Sequence, residues 1–293
     1  LPGMTMGQWG THFDRTNTWW PYAKDFLRYQ ARCQFMLSRG EHVADVLFYC
    51  GDDAPNQGGN TDGNFGMTGF SFRLPQGYDS DICPTDAMYA LKVEDGEVVV
   101  PGGVRYRMLV IPPVEAMTPK MVRTIARLQG EGAKVVWPVK PVRAPGLACG
   151  SDADAEVRRI ADSVIAAGAL AMMPDKALKE LGLEPQVSWN PKDLPQDVKK
   201  LNWIHRRESG ADWFFVALPT RKPAELEISF RIAGLEPEIW DAETGEMKSA
   251  ADWRTEGGRT VVRVPFNICG SKFVVFRKPT TARDAARTEP AKP

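Results

Sequence analysis

The side chains best suited to chemistry are concentrated in nine residues, "HFDRTNTWW", from His12 to Trp20. His12, Asp14, Arg15, Asn17, Trp19 and Trp20 combine apolar ring faces with fork-shaped donors and acceptors. A sugar site needs both: a flat apolar surface for the C–H face of a pyranose and bidentate partners for its hydroxyls. The same residues would also serve as a packing anchor for the element that follows, with Asp14 and Arg15 left in water. A second candidate is the pair Asp52 and Asp53, directly after the apolar run "HVADVLFYC". If that run is a strand of a parallel sheet, the pair stands at its carboxyl end, where α/β domains bind ligands. Adjacent residues of an extended chain point in opposite directions. The pair is therefore no ready acid/base couple; one carboxylate can face a site while the other caps a turn, and a structural role fits as well.

Other chemistries lack their residues. "GGNTDGNFGMTG" is rich in glycine but matches neither G-x-G-x-x-G nor the Walker pattern. Asn60, Asp62 and Asn64 alternate as calcium-loop ligands do, yet Ser71 stands where a closing carboxylate is required, which favours a turn-rich surface loop. There is no G-x-S-x-G elbow, and no two of His12, His42 and His205 are four apart. His205 alternates with Trp203 and Arg207 and reads as a satisfied structural histidine. An amidotransferase-like nucleophile would be Cys50, but His42 lies at the other end of the same extended run. The five cysteines form no C-x-x-C pair and read as buried free thiols. With 37 basic and 37 acidic residues, the chain has no cationic surplus for nucleic acid. No apolar run approaches a membrane span. The opening residues lack a signal-peptide pattern, and without an initiator Met they read as internal.

Periodicity then supplies the elements. A helix is expected over 21–39, with Thr18 as cap, Pro21 in the first turn and Gly40 as stop. "HVADVLFYC" reads as a buried strand, "PTDAMYALKV" as a short helix and "EDGEVVVPGGVRY" as a hairpin. "YRMLVIPP", "MTPKMVRTIARLQGEG", "AKVVWP" and "DADAEVRRIADSVIAAG" alternate strand and helix, the signature of a parallel sheet covered by helices. From about Leu201 short strands separated by polar turns suggest a β-sandwich, and the Pro- and Ala-rich end reads as a linker.

"WGTHFDRTNTWWPYAKDFLRYQARCQFMLSRGEHVADVLFYCGDDAPN" resembles the stretch that closes the catalytic (β/α)8 barrel in α-L-rhamnosidase-type glycoside hydrolases, family 106 and relatives. The resemblance continues through "GYDSDICPTDAMYALKVEDGEVVVPGGVRYRMLVIPP", "DADAEVRRIAD" and "WIHRRESGADWFFVAL". It implies an α/β plus all-β chain: the end of the barrel at 1–40, a flavodoxin- or amidotransferase-like parallel-sheet domain at 41–183, a small β-sandwich at 184–278 and a linker tail at 279–293. It also implies acid/base hydrolysis with inversion, by glutamates on barrel strands expected upstream of residue 1. No catalytic residue is then expected here. His12, Asp14, Arg15, Trp19, Trp20, Asp52 and Asp53 remain as substrate contacts. No cofactor is expected in this chain. Calcium near the sugar is implied for the parent enzyme, with no ligands identifiable in this sequence. The implied partner is a rhamnose-containing glycan, in a secreted or periplasmic setting. Helix 21–39, without its barrel, is expected to expose its apolar face or to repack on the α/β domain. The alternative is a non-catalytic carbohydrate-binding or structural accessory unit.

Overall fold

The structure is a computed structural model and describes residues 13, 15, 17–52, 74–146 and 150–280. In chain order its elements are α1 (Ala23–Ser38), β1 (Glu41–His42), β2 (Val46–Tyr49), β3 (Ser80–Cys83), α2 (Thr85–Ala90), β4 (Lys92–Glu94), β5 (Glu97–Val99), β6 (Arg105–Tyr106) and β7 (Met108–Val110). There follow α3 (Pro119–Gly130), β8 (Val135–Val136), α4 (Gly150–Ala166), α5 (Pro174–Glu180) and β9 (Val187–Ser188). The remaining strands are β10 (Asn202–Glu208), β11 (Ala211–Ala217), β12 (Ala224–Phe230), β13 (Leu235–Trp240), β14 (Met247–Ser249), β15 (Trp253–Glu256), β16 (Arg259–Phe266) and β17 (Ser271–Pro279). Packing divides the chain into two units. One is His42–Ser188; the other joins the residues up to Glu41 with those from Trp189 onward.

The His42–Ser188 unit is built on a parallel sheet of order β3-β2-β7-β8. Every residue of β2 is buried, as expected for a strand covered on both faces. Its side chains alternate between two cores. Leu47 and Tyr49 join Met121, Val122 and Ile125 of α3 and Val157, Ala161 and Val164 of α4. Val46 and Phe48 join Ala177 and Leu178 of α5. Each fully buried Val, Leu, Ile, Phe or Met side chain among these contributes about 1.5–3 kcal/mol of transfer free energy. α3 starts as its sequence requires: Thr118 Oγ1 accepts the Met121 N–H at 3.3 Å, and Pro119 follows where its missing N–H costs nothing. β4, β5 and β6 form a small antiparallel sheet, with Asp95 and Gly96 both at positive φ in the first turn. The close approach of residue 77 to the β9 end demands glycine. A Cβ on Gly77, at φ +90°, would lie 2.0 Å from the Val187 carbonyl oxygen.

In the other unit the strands run β10-β11-β17-β13-β14 in one antiparallel sheet and β15-β16-β12 in a second. Rings bind the two sheets together: Phe214 of β11 meets Phe230 of β12 at 4.7 Å between centroids, and Phe230 meets Phe276 of β17 at 5.4 Å. The outer face of the first sheet is also apolar. Trp213, Phe273 and Val275 there pack with Tyr29, Cys33, Met36 and Leu37 of α1. Polar contacts fix the register of the helix. Tyr29 Oη lies 2.8 Å from Ser271 Oγ, Trp213 Nε1 donates to the Met36 carbonyl at 3.0 Å, and Arg32 donates to the Ala242 and Glu243 carbonyls, each at 2.8 Å.

This placement corrects the expectation for the helix. α1 forms a third layer on an antiparallel sheet of its own unit, because the sheet's apolar outer face outcompetes water for Tyr29, Cys33, Met36 and Leu37. Only part of its apolar surface stays in solvent: Tyr22, Phe26, Leu27 and Phe35 are exposed. Its start differs too. A 3-10 turn, Trp20–Tyr22, precedes α1, and neither Trp19 nor Tyr22 caps with a side chain. Backbone bonds from Trp20 N to Asn17 O and from Tyr22 N to Trp19 O take up the free N–H groups instead, leaving the expected Thr18 cap without a role. The cysteines also diverge from expectation: Cys83 is buried, Cys33 and Cys50 are half-buried and Cys269 is exposed in the turn before β17, while Cys149 lies outside the described residues.

Candidate functional site: the aromatic opening and the sheet's carboxyl edge

Of the opening cluster, His12 and Asp14 lie outside the described residues, as does Asp53. Arg15 is exposed; Trp19 and Trp20 are half-buried. Trp19 is the hub of four rings. Phe13 meets it edge-on at 5.3 Å, Phe26 at 6.3 Å with planes at 84°, and Trp20 at 6.2 Å with planes at 64°. Phe13 and Phe26 stack at 5.8 Å. Edge-to-face geometry of this kind is favourable in itself, worth about 0.5–1.5 kcal/mol per pair. The cluster anchors the start of α1 while leaving ring surface open to solvent. Of the two roles expected from the sequence, the ring contacts account for the packing anchor.

Asp52 occupies the position that sequence order singles out. The chain enters the parallel sheet at β2, moves to β3 on one side and then to β7 on the other. The order therefore reverses at the carboxyl ends of β2 and β7, where open α/β sheets place their ligand crevice. Asp52 follows β2 there, but its oxygens are engaged. Oδ2 accepts the Thr118 N–H at 2.8 Å, at the start of α3, and Oδ1 accepts the Tyr49 hydroxyl. Thr85 Oγ1 lies 3.3 Å from Tyr49 Oη and donates to the Gly51 carbonyl at 3.2 Å. Burial, then the Asp52 carboxylate, pushes the Tyr49 phenol well above its ordinary value, so it stays a donor. The arrangement ties β2, α2 and α3 together.

Cys50 places its thiol 3.8 Å from the Gly51 carbonyl oxygen. Its backbone N–H donates to Cys83 O at 3.1 Å, and both ring nitrogens of His42 are engaged with carboxylates. Burial, with Cys50 nearby, pushes the Cys83 thiol up to about 12, where it is an inert packing group.

No motif in the sequence marks the His42 environment. Nε2 lies 3.0 Å from Asp79 Oδ2 and Nδ1 lies 3.0 Å from Asp81 Oδ2. Asp81 Oδ2 also accepts the Tyr106 hydroxyl at 2.8 Å, and Asp79 Oδ1 accepts the Ser80 N–H at 2.9 Å. Two carboxylates on two ring nitrogens require both to be N–H donors, hence an imidazolium. Burial opposes the charge, but the carboxylates overcome it and His42 is pushed up to about 9. The only trace in the sequence was the alternation of Asp79 and Asp81. His205 is the opposite case and behaves as expected from its strand position. It is buried, stacks on Phe214 at 3.9 Å and places Nε2 2.7 Å from Asp212 Oδ1; burial holds it below its ordinary value. Among the described residues no group of three or more His, Cys, Asp or Glu side chains is placed to hold a metal ion. Asp79 and Asp81 come together, but the imidazolium already fills the space between them.

Comparison with known proteins places this geometry among the glycoside hydrolases. A solved rhamnosidase from Novosphingobium sp. PP1Y superposes over 99% of this chain with a TM-score of 0.81 and 25% identity, using 27% of its own length. An α-L-fucosidase isoenzyme 2 from Paenibacillus thiaminolyticus shares the fold over 92% of this chain and 53% of its own, with a TM-score of 0.51 and 11% identity. A Formosa agariphila protein named "Putative beta-glucuronidase" is 33% identical over 286 residues, 94% of this chain and 23% of that protein. The family model for alpha-L-rhamnosidase, glycoside hydrolase family 106, matches residues 1–254, and the chain belongs to that family. It spans about a quarter of the length of the rhamnosidase and of the Formosa protein.

Proposed function

We propose that these 293 residues are a non-catalytic segment of an α-L-rhamnosidase-type hydrolase that cleaves rhamnose-containing glycans by acid/base hydrolysis. The observation that carries this reading is the superposition of nearly the whole chain on 27% of a solved rhamnosidase. In this reading 1–40 closes a (β/α)8 barrel, the His42–Ser188 unit is the flavodoxin- or amidotransferase-like domain, and the facing antiparallel sheets are a β-sandwich. A barrel of that kind needs roughly 250 residues and eight parallel strands. The parallel sheet described here has four.

The reacting carboxylates then belong to the remainder of the parent protein. An inverting pair stands about 6.5–9.5 Å apart, with room for the attacking water. His12, Asp14, Arg15, Trp19 and Trp20 would supply part of the sugar-facing rim. Trp19 and Trp20 give ring faces, held by Phe13 and Phe26. Asp52 and Asp53 would lie at the carboxyl edge of the parallel sheet. Asp52 acts there by holding α3, and this reading assigns the ligand contact of the pair to Asp53, which lies outside the described residues.

The test is direct. The purified chain is assayed on an aryl α-L-rhamnoside and, because of the Formosa relative's name, on an aryl β-glucuronide. Background hydrolysis is the expected result. Turnover at the usual enzyme rate of about 1–1000 per second would overturn the assignment of the carboxylates to other polypeptide.

A further inference from the structure

We infer a separate binding cleft for an uncharged aromatic compound, formed by α1 and the β13–β14 hairpin. The cleft has a volume of about 400 Å³ and lies wholly within the unit that contains both elements. That is within the size range of small-molecule sites, roughly 300–1000 Å³. Its apolar walls are Phe35, Met36, Trp240, Met247 and Phe273, with Ala31 at the helix side. Phe35 and Met247 are 60% and 63% exposed, although both are large apolar side chains.

The walls are braced. Trp240 Nε1 donates to Glu238 Oε2 at 3.0 Å, and the Arg277 guanidinium lies 5.0 Å from the Trp240 ring centroid. Arg32 holds the turn after β13 through the Ala242 and Glu243 carbonyls. A Cβ on Gly245 would sit 3.0 Å from that guanidinium, so the helix and the turn are in close contact. Asp241 Oδ2 accepts from Lys272 at 2.6 Å and Oδ1 from the Glu243 and Thr244 N–H groups at 2.8 and 3.3 Å. A cleft with fixed walls does not collapse on itself when empty.

The ligand class follows from what is left over. The charged groups of the lining are Arg32, Asp241 and Glu246, and each is already engaged: Arg32 by carbonyls, Asp241 by Lys272, Glu246 by Lys248. An anionic ligand would meet as counter-charge only the Arg32 guanidinium, whose Nη1 already donates to two carbonyls, and would lose most of its hydration against apolar walls. Three rings and two thioethers remain as contact surface, and both favour an aromatic guest: rings through edge-to-face contact, sulfur through contact with ring edges. The volume suits a fused two-ring system. This inference is independent of where the hydrolytic carboxylates lie.

The experiment uses 2-naphthol as probe on the whole chain with 13C-labelled methionine methyls, followed by NMR. The expected result is saturable one-to-one binding with a dissociation constant on the order of 1 mM or tighter. It is accompanied by shifts of the Met36 and Met247 methyls among the eleven methionines. Met247→Glu should weaken binding at least tenfold and Ala31→Trp should abolish it, with both variants melting as the parent does. Ile268→Ser, at an exposed position outside the lining, should leave it unchanged. Absence of saturation would overturn the inference, as would shifts confined to other methionines, or a second copy of the chain occupying the cleft in sedimentation and blocking the probe.

Discussion

Replacing His42 by Gln should remove a pH-dependent clamp. In the folded chain the imidazolium sits between Asp79 and Asp81, and Asp81 also takes the Tyr106 hydroxyl. Burial and Asp81 keep that phenol well above its ordinary value, so it stays protonated through the relevant range. The folded value of about 9 lies above the ordinary 6.5. The contribution is therefore complete below about pH 6.5 and is lost as pH rises through about 9. Moving the imidazole over that range corresponds to about 3 kcal/mol at most. The side chains of His42, Asp79 and Asp81 are 24%, 30% and 37% exposed, so screening reduces this to about 1–2 kcal/mol. Gln keeps one donor pair but not the charge. Calorimetry at pH 6 and pH 10 should show the variant's transition in the His42–Ser188 unit roughly 2–8 °C lower at the acid value and level with the parent at the alkaline one. A gap that persists undiminished at pH 10 would refute the electrostatic reasoning and leave only a packing effect.

Asp52→Ala should destabilise the same unit by about 1–2 kcal/mol, since the Thr118 N–H and the Tyr49 hydroxyl both lose their acceptor; urea unfolding measures it. Gly40→Ala and Gly182→Ala form a matched pair at φ +62° and +61°. At Gly182 nothing lies near the new Cβ, and the cost should be about 1 kcal/mol. At Gly40 the Arg207 carbonyl oxygen would be 2.3 Å away, so the same change should cost several times more in thermal melts. Phe214→Ala, at a fully buried ring that touches His205, Phe230 and Phe276, should cost about 3–5 kcal/mol by chemical denaturation.

The regular parts of the fold were legible because their local signals agree with their burial. "VLFY" is apolar without alternation, and β2 is covered on both faces. Thr118-Pro119 and Asp95-Gly96 announced a helix start and a turn that the structure contains. The strands of the C-terminal region also stand close to where their patterns placed them. The position of α1 was not legible, yet one hint lay in β11. "DWFF" puts large apolar residues on both faces of a strand, as a sheet covered on both sides requires, and the second cover is α1. Periodicity reports which face is apolar, not which distant surface it meets. The same limit hid the His42 cluster, whose partners stand 37 and 39 residues away, and the engagement of Asp52 by Thr118, 66 residues on. Candidate ligand-facing carboxylates can be picked by position in a sequence; whether their lone pairs are already spoken for is a matter of tertiary structure.

The interleaved order of the two units has a practical corollary. Residues 42–188 interrupt a body whose helix comes before them and whose strands come after. No single scission can separate the two. A fragment beginning at Trp189 would strip the cover from Trp213, Phe273 and Val275 and should come out of expression sticky and aggregated. Isolating the β-rich half intact calls for two cuts and a bridging peptide in place of the excised middle.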